Sequence, residues 1–319
     1  MAIFVFPGQG AQFTGMGMDL YASSFAEESG IRNLFDRASG LWGSDIKTLL
    51  TSDAEVLKQT DVSQIAITVV SLAVVKALAW KGIVPSACAG FSLGEYPALV
   101  VAGVLSEEDA LRLVIERGRI MQEVATQIAA TAGDAPGMAA VLGLSSEAVD
   151  SVIASLGISG LYAANYNSPV QTVVSGTAEA LAASEAAFKE AGARRVVRLK
   201  VAGPFHSPLM GEAGNRFAAT LEPVEFRDPV LPLFSNVTGS RVTSGAEAKK
   251  CAVSHISSPV RWTQEEAQLA SLITAQNGVD GLTGVDLIEA GPGKVLSGLW
   301  ADSKQPGICK PWAEVVSLD

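Results

Sequence analysis

Short apolar runs that close on glycine or proline, each followed by a stretch of helical length, recur along the chain and confine it to an α/β fold with a buried parallel sheet. Ala-Ile-Phe-Val-Phe (2–6) ends on Pro7-Gly8 and reads as a buried strand leading into a tight turn. Residues 61–81 then have helix length, with Thr60 or Asp61 as cap candidate and Gly82 as stop. Ser86–Gly90 is a second short strand, and it passes through a sharp turn into a helical segment, Leu93–Val100. The run Ser106-Glu107-Glu108-Asp109 opens a further helix reaching about Gln127, its carboxylates suiting the positive end of the helix dipole.

The texture changes after Ile128. Gly-Asp-Ala-Pro-Gly (133–137) reads as a linker. Beyond it come a strand (Met138–Leu142), a helix (Ser145–Leu156), two strands (Leu161–Asn165 and Thr172–Gly176), a helix (Ala178–Ala191) and a strand (Arg195–Leu199). This β-α-β-β-α-β order is the split-βαβ, ferredoxin-like pattern, so residues 129–199 read as a subdomain inserted into a core of residues 1–128 and 200–319. The α/β texture resumes with a strand at Leu231–Ser235, a helix near Gln264–Ala275 and a strand at Val285–Glu289.

Composition excludes several classes. With 48% hydrophobic and 18% charged residues in 319, the chain carries enough apolar surface for a core and is not disordered. Its net charge of −10 argues against nucleic-acid binding, which depends on neutralising phosphates with Lys and Arg. The longest apolar stretch, Ile65–Val75, is too short to cross a bilayer, and no secretory signal is visible at the N-terminus. Cys88, Cys251 and Cys309 are odd in number and widely spaced, which fits neither a disulfide framework nor a zinc site and makes the cytoplasm the expected compartment.

Gly90-Phe91-Ser92-Leu93-Gly94 matches G-x-S-x-G in its required setting, strand before and helix after. There the glycines allow a turn that lifts the Ser92 hydroxyl off the sheet. A hydroxyl needs a base, and imidazole is the usual one near neutral pH. Two histidines are available, His206 in Pro-Phe-His-Ser-Pro (204–208) and His255 in Ser-His-Ile-Ser-Ser-Pro (254–259); His206, where the chain re-enters the core, is the preferred base. Oxyanion donors are expected from the Leu93 N–H and from the loop Gly8–Gln12 after the first strand. Nucleotide motifs fail: Phe13 replaces the last glycine of G-x-G-x-x-G, and Gly291-Pro-Gly-Lys294 is preceded by Ile288 and followed by Val295, where a P-loop needs glycine and Ser or Thr.

Nine blocks then carry a resemblance along the whole chain. They are Phe-Pro-Gly-Gln-Gly-Ala-Gln (6–12), Gly-Phe-Ser-Leu-Gly-Glu (90–95), Glu-Arg-Gly-Arg-Ile-Met-Gln (116–122), Gly-Met-Ala-Ala-Val-Leu-Gly (137–143), Asn-Tyr-Asn-Ser-Pro-Val-Gln (165–171), Pro-Phe-His-Ser-Pro-Leu-Met (204–210), Ser-Asn-Val-Thr-Gly (235–239), Ser-Pro-Val-Arg-Trp (258–262) and Glu-Ala-Gly-Pro-Gly-Lys-Val-Leu (289–296). In this order they resemble the malonyl-CoA:acyl-carrier-protein transacylases. The resemblance implies an α/β-hydrolase-like core and a ping-pong transfer of malonyl from malonyl-CoA to acyl carrier protein, with no metal or redox cofactor. It makes Ser92 the acylated nucleophile, His206 the base, and Gln9 with the Leu93 N–H the oxyanion hole. It places His255 where a main-chain carbonyl orients the imidazole in place of an aspartate. Arg117 is implied to grip the malonyl carboxylate, which a guanidinium fork can do bidentately. Gln64 is a further pocket wall, and Phe205 restricts room at the α-carbon, favouring malonyl over methylmalonyl. One departure stands out: Phe91 occupies a position where the family has histidine, which leaves the breadth of acyl groups open. The rival readings are a polyketide-pathway acyltransferase, a serine esterase or thioesterase, and a silent binding module of a larger synthase.

Overall fold

In a computed structural model, residues 2–131, 135–280 and 287–318 are described. Strands β1 (Ala2–Phe6) and β2 (Pro85–Gly90) form the centre of one sheet. Strands β3 (Gly137–Leu142), β4 (Leu161–Ser168), β5 (Gln171–Gly176) and β6 (Arg195–Arg198) form a second. Strands β7 (Leu233–Ser235), β8 (Ser240–Val242), β9 (Leu287–Glu289) and β10 (Cys309–Pro311) return to the first. Among the described residues the first sheet has the order β10-β9-β1-β2-β7-β8 and the second β4-β5-β3-β6.

The first sheet is mixed rather than wholly parallel. Its pairs are parallel from β10 to β7, whereas β8 turns straight back on β7 and runs antiparallel. The turn is too short for the crossover that a parallel partner needs. Both faces of β1 and β2 are covered. Phe4, Phe6 and Cys88 pack into one apolar cluster, and Ile3, Val5, Ala87 and Ala89 into another, which explains why these strands read as unbroken apolar runs. The second sheet is antiparallel, and the helices Ser146–Leu156 and Ala178–Glu190 supply Val149, Leu181 and Phe188 to its own apolar cluster.

Several elements differ from the sequence expectation for identifiable reasons. Helix Glu107–Thr131 runs four residues past Gln127, because no glycine or proline stops it there. Strand β4 continues past Asn165 to Ser168 because the backbone N–H of Tyr166 donates to the Val260 carbonyl and that of Val260 to Ala164, pairing invisible in local sequence. Strand β7 begins at Leu233, since Pro232 can accept from Cys88 N but has no N–H to give. Part of the 133–137 linker, and Val285 with Asp286, lie outside the described residues.

Helix Thr60–Trp80 is long and apolar enough, by length and composition, to cross a membrane, which the shorter stretch Ile65–Val75 conceals. In the fold it is a core helix, buried nearly all round, as uniform hydrophobicity of a helix surface requires. Helix Glu107–Thr131 lies against it at Gly118, where a Cβ would stand 2.8 Å from the Asp61 Cα. Any larger residue there would separate Gln64 on one helix from Arg117 on the other.

Candidate active site

The pentapeptide at 90–94 is shaped by close approach. A Cβ at Gly90 would fall 2.0 Å from the carbonyl of Gly94, and one at Gly94 would fall 2.0 Å from the carbonyl of Phe6. Strand β2 therefore ends in a turn that only glycine fits, and a single helical turn (Ser92–Gly94) runs on into helix Glu95–Val101. Ser92 at its apex has φ 51°, in the left-handed region, at a cost of about 1–2 kcal/mol for a residue with a Cβ. His206 is also left-handed, at φ 57°.

These two residues meet. Ser92 Oγ lies 2.7 Å from His206 Nε2. His206 Nδ1 faces two main-chain carbonyls, those of His255 at 3.1 Å and Ser258 at 3.2 Å. A carbonyl can only accept, so Nδ1 carries the hydrogen and Nε2 is the bare nitrogen that accepts from the serine hydroxyl. Burial first, and the Arg117 charge second, push the His206 imidazole down to about 4, against the two carbonyls that favour its protonated form. At neutral pH the ring is thus an unprotonated base.

A pH prediction follows. Because His206 titrates near 4 rather than 6.5, kcat/KM for acylation of Ser92 is expected to stay level from about pH 8 to about pH 5. Rapid-quench measurement of the acyl-enzyme across that range checks it; a midpoint near 6.5 would contradict the buried, neutral ring. The same depression destabilises the fold in acid: between 6.5 and about 4 the unfolded chain binds a proton that the folded one refuses, so this contribution to stability falls as pH falls through that window.

The dyad opens on a cavity of about 190 Å³ lined by Gln9, Gln64, Phe91, Ser92, Phe205 and His206, with Met121, Met138, Val173 and Leu199 among its apolar walls. Gln9 reaches it because the loop after β1 passes tightly under the turn: a Cβ at Gly8 would meet the Phe91 carbonyl at 2.5 Å. Leu93 is buried, and its N–H belongs to the first turn of a helical run, where donors lack intrahelical partners. Phe91 packs edge-on against Trp262 at 5.6 Å, so the aromatic ring at this position is anchored in the core on one side while lining the cavity on the other.

Arg117 lies one layer deeper. It is completely buried, its Nη1 donates to Gln64 Oε1 at 2.6 Å, and its guanidinium stands 5.6 Å from the Tyr96 ring centre. Among the described residues its Nε and Nη2 have no hydrogen-bond partner. A desolvated cation with unsatisfied donors is costly, and an anionic partner is what relieves it. Among the described residues, no group of three or more His, Cys, Asp or Glu could hold a metal ion.

Sequence reasoning assigned no role to a buried polar layer beneath the dyad. Asn236, Glu95, Glu265 and the His255 side chain are all buried there. Burial pushes Glu95 up to about 7, against hydrogen bonds from Asn236 and Ser235 and the Arg117 charge. Burial likewise holds Glu265 well above the ordinary carboxylate range, with the charge of Glu95 adding to it. The available signal was Ser-Asn-Val-Thr-Gly (235–239), where a polar residue closes a buried strand.

A serine in a strained strand-to-helix turn, hydrogen-bonded to a neutral histidine beside a small, partly open cavity, fits an enzyme of the acyl-transfer class. The chain belongs to the acyl transferase domain family, which residues 3–279 match, and within it to the malonyl CoA-acyl carrier protein transacylases. It is 40% identical over 299 residues to the malonyl CoA-acyl carrier protein transacylase of Bacillus subtilis, covering 93% of this chain and 88% of that one. It is 36% identical over 302 residues to the enzyme of the same name from Escherichia coli K12, covering 93% and 90%. Among solved structures, an acyl carrier protein S-malonyltransferase from Vibrio cholerae superposes with a TM-score of 0.85 at 36% identity, covering 97% of this chain and 95% of that one. A malonyl-transacylase in complex with its type II PKS acyl-carrier protein superposes with a TM-score of 0.84 at 35% identity, covering 97% and 94%.

Proposed function

We propose that this chain transfers malonyl from malonyl-CoA to the phosphopantetheine thiol of acyl carrier protein, through a malonyl ester on Ser92. The observation that carries the reading is the pairing of the Ser92–His206 contact with a buried guanidinium that has two donors to spare.

In the first half-reaction Ser92 Oγ forms a bond to the thioester carbon while His206 Nε2 takes the hydroxyl proton. In this reading the Leu93 N–H and Gln9, which lines the cavity, receive the oxyanion, a donor of this kind being worth about 3–4 kcal/mol. Collapse breaks the C–S bond, and the imidazolium returns its proton to the CoA sulfur. In the second, the carrier thiol gives its proton to Nε2, its sulfur bonds to the carbonyl carbon, the ester C–O bond breaks and Ser92 regains the proton. The His255 and Ser258 carbonyls hold the ring throughout. The malonyl carboxylate takes the unpartnered donors of Arg117 beside Gln64, and Phe205 limits bulk at the α-carbon. Every proton and leaving group is handled by side chains, so no cofactor is part of the proposal.

The same reading extends to architecture and compartment. The α/β-hydrolase-like core (1–128 and 200–319) and the inserted ferredoxin-like subdomain (129–199) are supported by the two separate sheets and by the antiparallel order β4-β5-β3-β6. A cytoplasmic setting is supported by three buried free cysteines. Relatives' names give the donor and acceptor.

Intact-protein mass spectrometry after brief incubation with malonyl-CoA tests the function. One malonyl adduct is expected, discharged by holo acyl carrier protein and persistent without it. Steady release of free malonate without the carrier would instead mark a thioesterase, and no adduct a silent module.

A further inference from the structure

Asn236 follows the last residue of β7 and is wholly buried, and its carboxamide makes every hydrogen bond it is capable of making. Oδ1 accepts from the backbone N–H of Ser92 at 2.6 Å and from His255 Nε2 at 3.1 Å. Nδ2 donates to the Gly90 carbonyl at 2.6 Å and to Glu265 Oε1 at 2.6 Å. The amide cannot be flipped, because the Ser92 N–H needs an oxygen opposite it and the Gly90 carbonyl needs an N–H. The backbone N–H of Asn236 donates to Glu95 Oε1, and its carbonyl accepts from Arg261 N.

Two of these bonds bracket Phe91, gripping the chain on both sides of the residue that precedes the nucleophile. A third reaches the ring of His255, whose carbonyl is one of the two acceptors that hold His206 Nδ1. We propose that Asn236 is a positioning residue for the reaction assigned above: it splints the turn that holds Ser92 in its left-handed conformation and, through His255, fixes that turn relative to the segment that aims the base.

The physical need is clear. Ser92 is unfavourable where it stands, and among the described residues its side chain bonds only to His206. Freed of the splint, the turn can relax towards ordinary φ and carry Oγ away from Nε2. A displacement of about 1 Å costs about 100-fold in rate.

The test separates chemistry from binding. For Asn236→Ala, kcat for malonyl loading is expected to fall about 100-fold with KM for malonyl-CoA nearly unchanged. Labelling of Ser92 by phenylmethylsulfonyl fluoride is expected to slow in parallel; there the Oγ–S bond forms, fluoride leaves and the hydroxyl proton passes to His206, with no malonyl recognition involved. A loss confined to KM, or sulfonylation at the wild-type rate, overturns the proposal. Should Asn236→Ala not fold, the His255 pair decides: His255→Leu removes the donor to Oδ1 and is expected to lose rate, His255→Gln keeps an N–H there and is expected to restore it, and equal rates overturn the proposal. Because this inference rests on the proposed function, the wild-type protein distinguishes their failures: sulfonylation without malonylation removes the malonyl reading and leaves the positioning role under test.

Discussion

Ser92→Ala is expected to lower malonyl transfer by about 10⁶-fold, the scale seen when a serine nucleophile is deleted from a comparable machine. The malonyl adduct is expected to vanish from the intact mass. Stability is expected to change little, because among the described residues Oγ bonds to His206 alone, and alanine inherits the same left-handed φ as serine. Thermal unfolding therefore provides the control. Loss of transfer at unchanged Tm places the effect in the chemistry, whereas a persistent adduct on the variant would move the nucleophile elsewhere.

The second large effect is expected at Arg117. Its guanidinium is completely buried, and removing one partner of a buried, hydrogen-bonded charge pair costs about 3–5 kcal/mol. Arg117→Ala and the volume-conserving Arg117→Met should thus lose about 10³-fold in kcat/KM for malonyl-CoA. Loading from acetyl-CoA, which has no distal carboxylate, should be spared, so competition between the two donors reads the change directly. The Arg117 charge also helps to depress His206, so the acid limb of the remaining acetyl-loading activity should move up from about 4 towards the ordinary imidazole value. A variant that lost both acyl groups equally would show Arg117 to be structural.

Much of this site was legible because its parts announce themselves locally. Gly90 to Gly94 lies between an apolar strand and a helix, and a Cβ at either of these glycines would fall 2.0 Å from backbone, so the turn, its serine and the following N–H read out of one pentapeptide. His206 was reached by scarcity, being one of two histidines. What stayed hidden depends on contacts between distant segments. Asn236 bonds to Ser92, 144 positions away, and nothing in Ser-Asn-Val-Thr-Gly tells which of its polar atoms will be enclosed. The bond between Arg117 and Gln64 depends on the close passage of two helices at Gly118, and the extension of β4 depends on Val260. Helices Ile31–Trp42, Gly211–Leu221 and Gly245–Ser254 were not singled out either. They cover the core from outside and carry none of the punctuated apolar runs that betray the strands.

The imidazole of His206 is aimed by peptide oxygens at 255 and 258. Changing the side chain at either position deletes neither acceptor, since every amino acid brings the same carbonyl. The orientation of the ring is in that sense written in the course of the chain rather than in its alphabet. Only an ester linkage at the following peptide, or a shift of the whole segment, could weaken it.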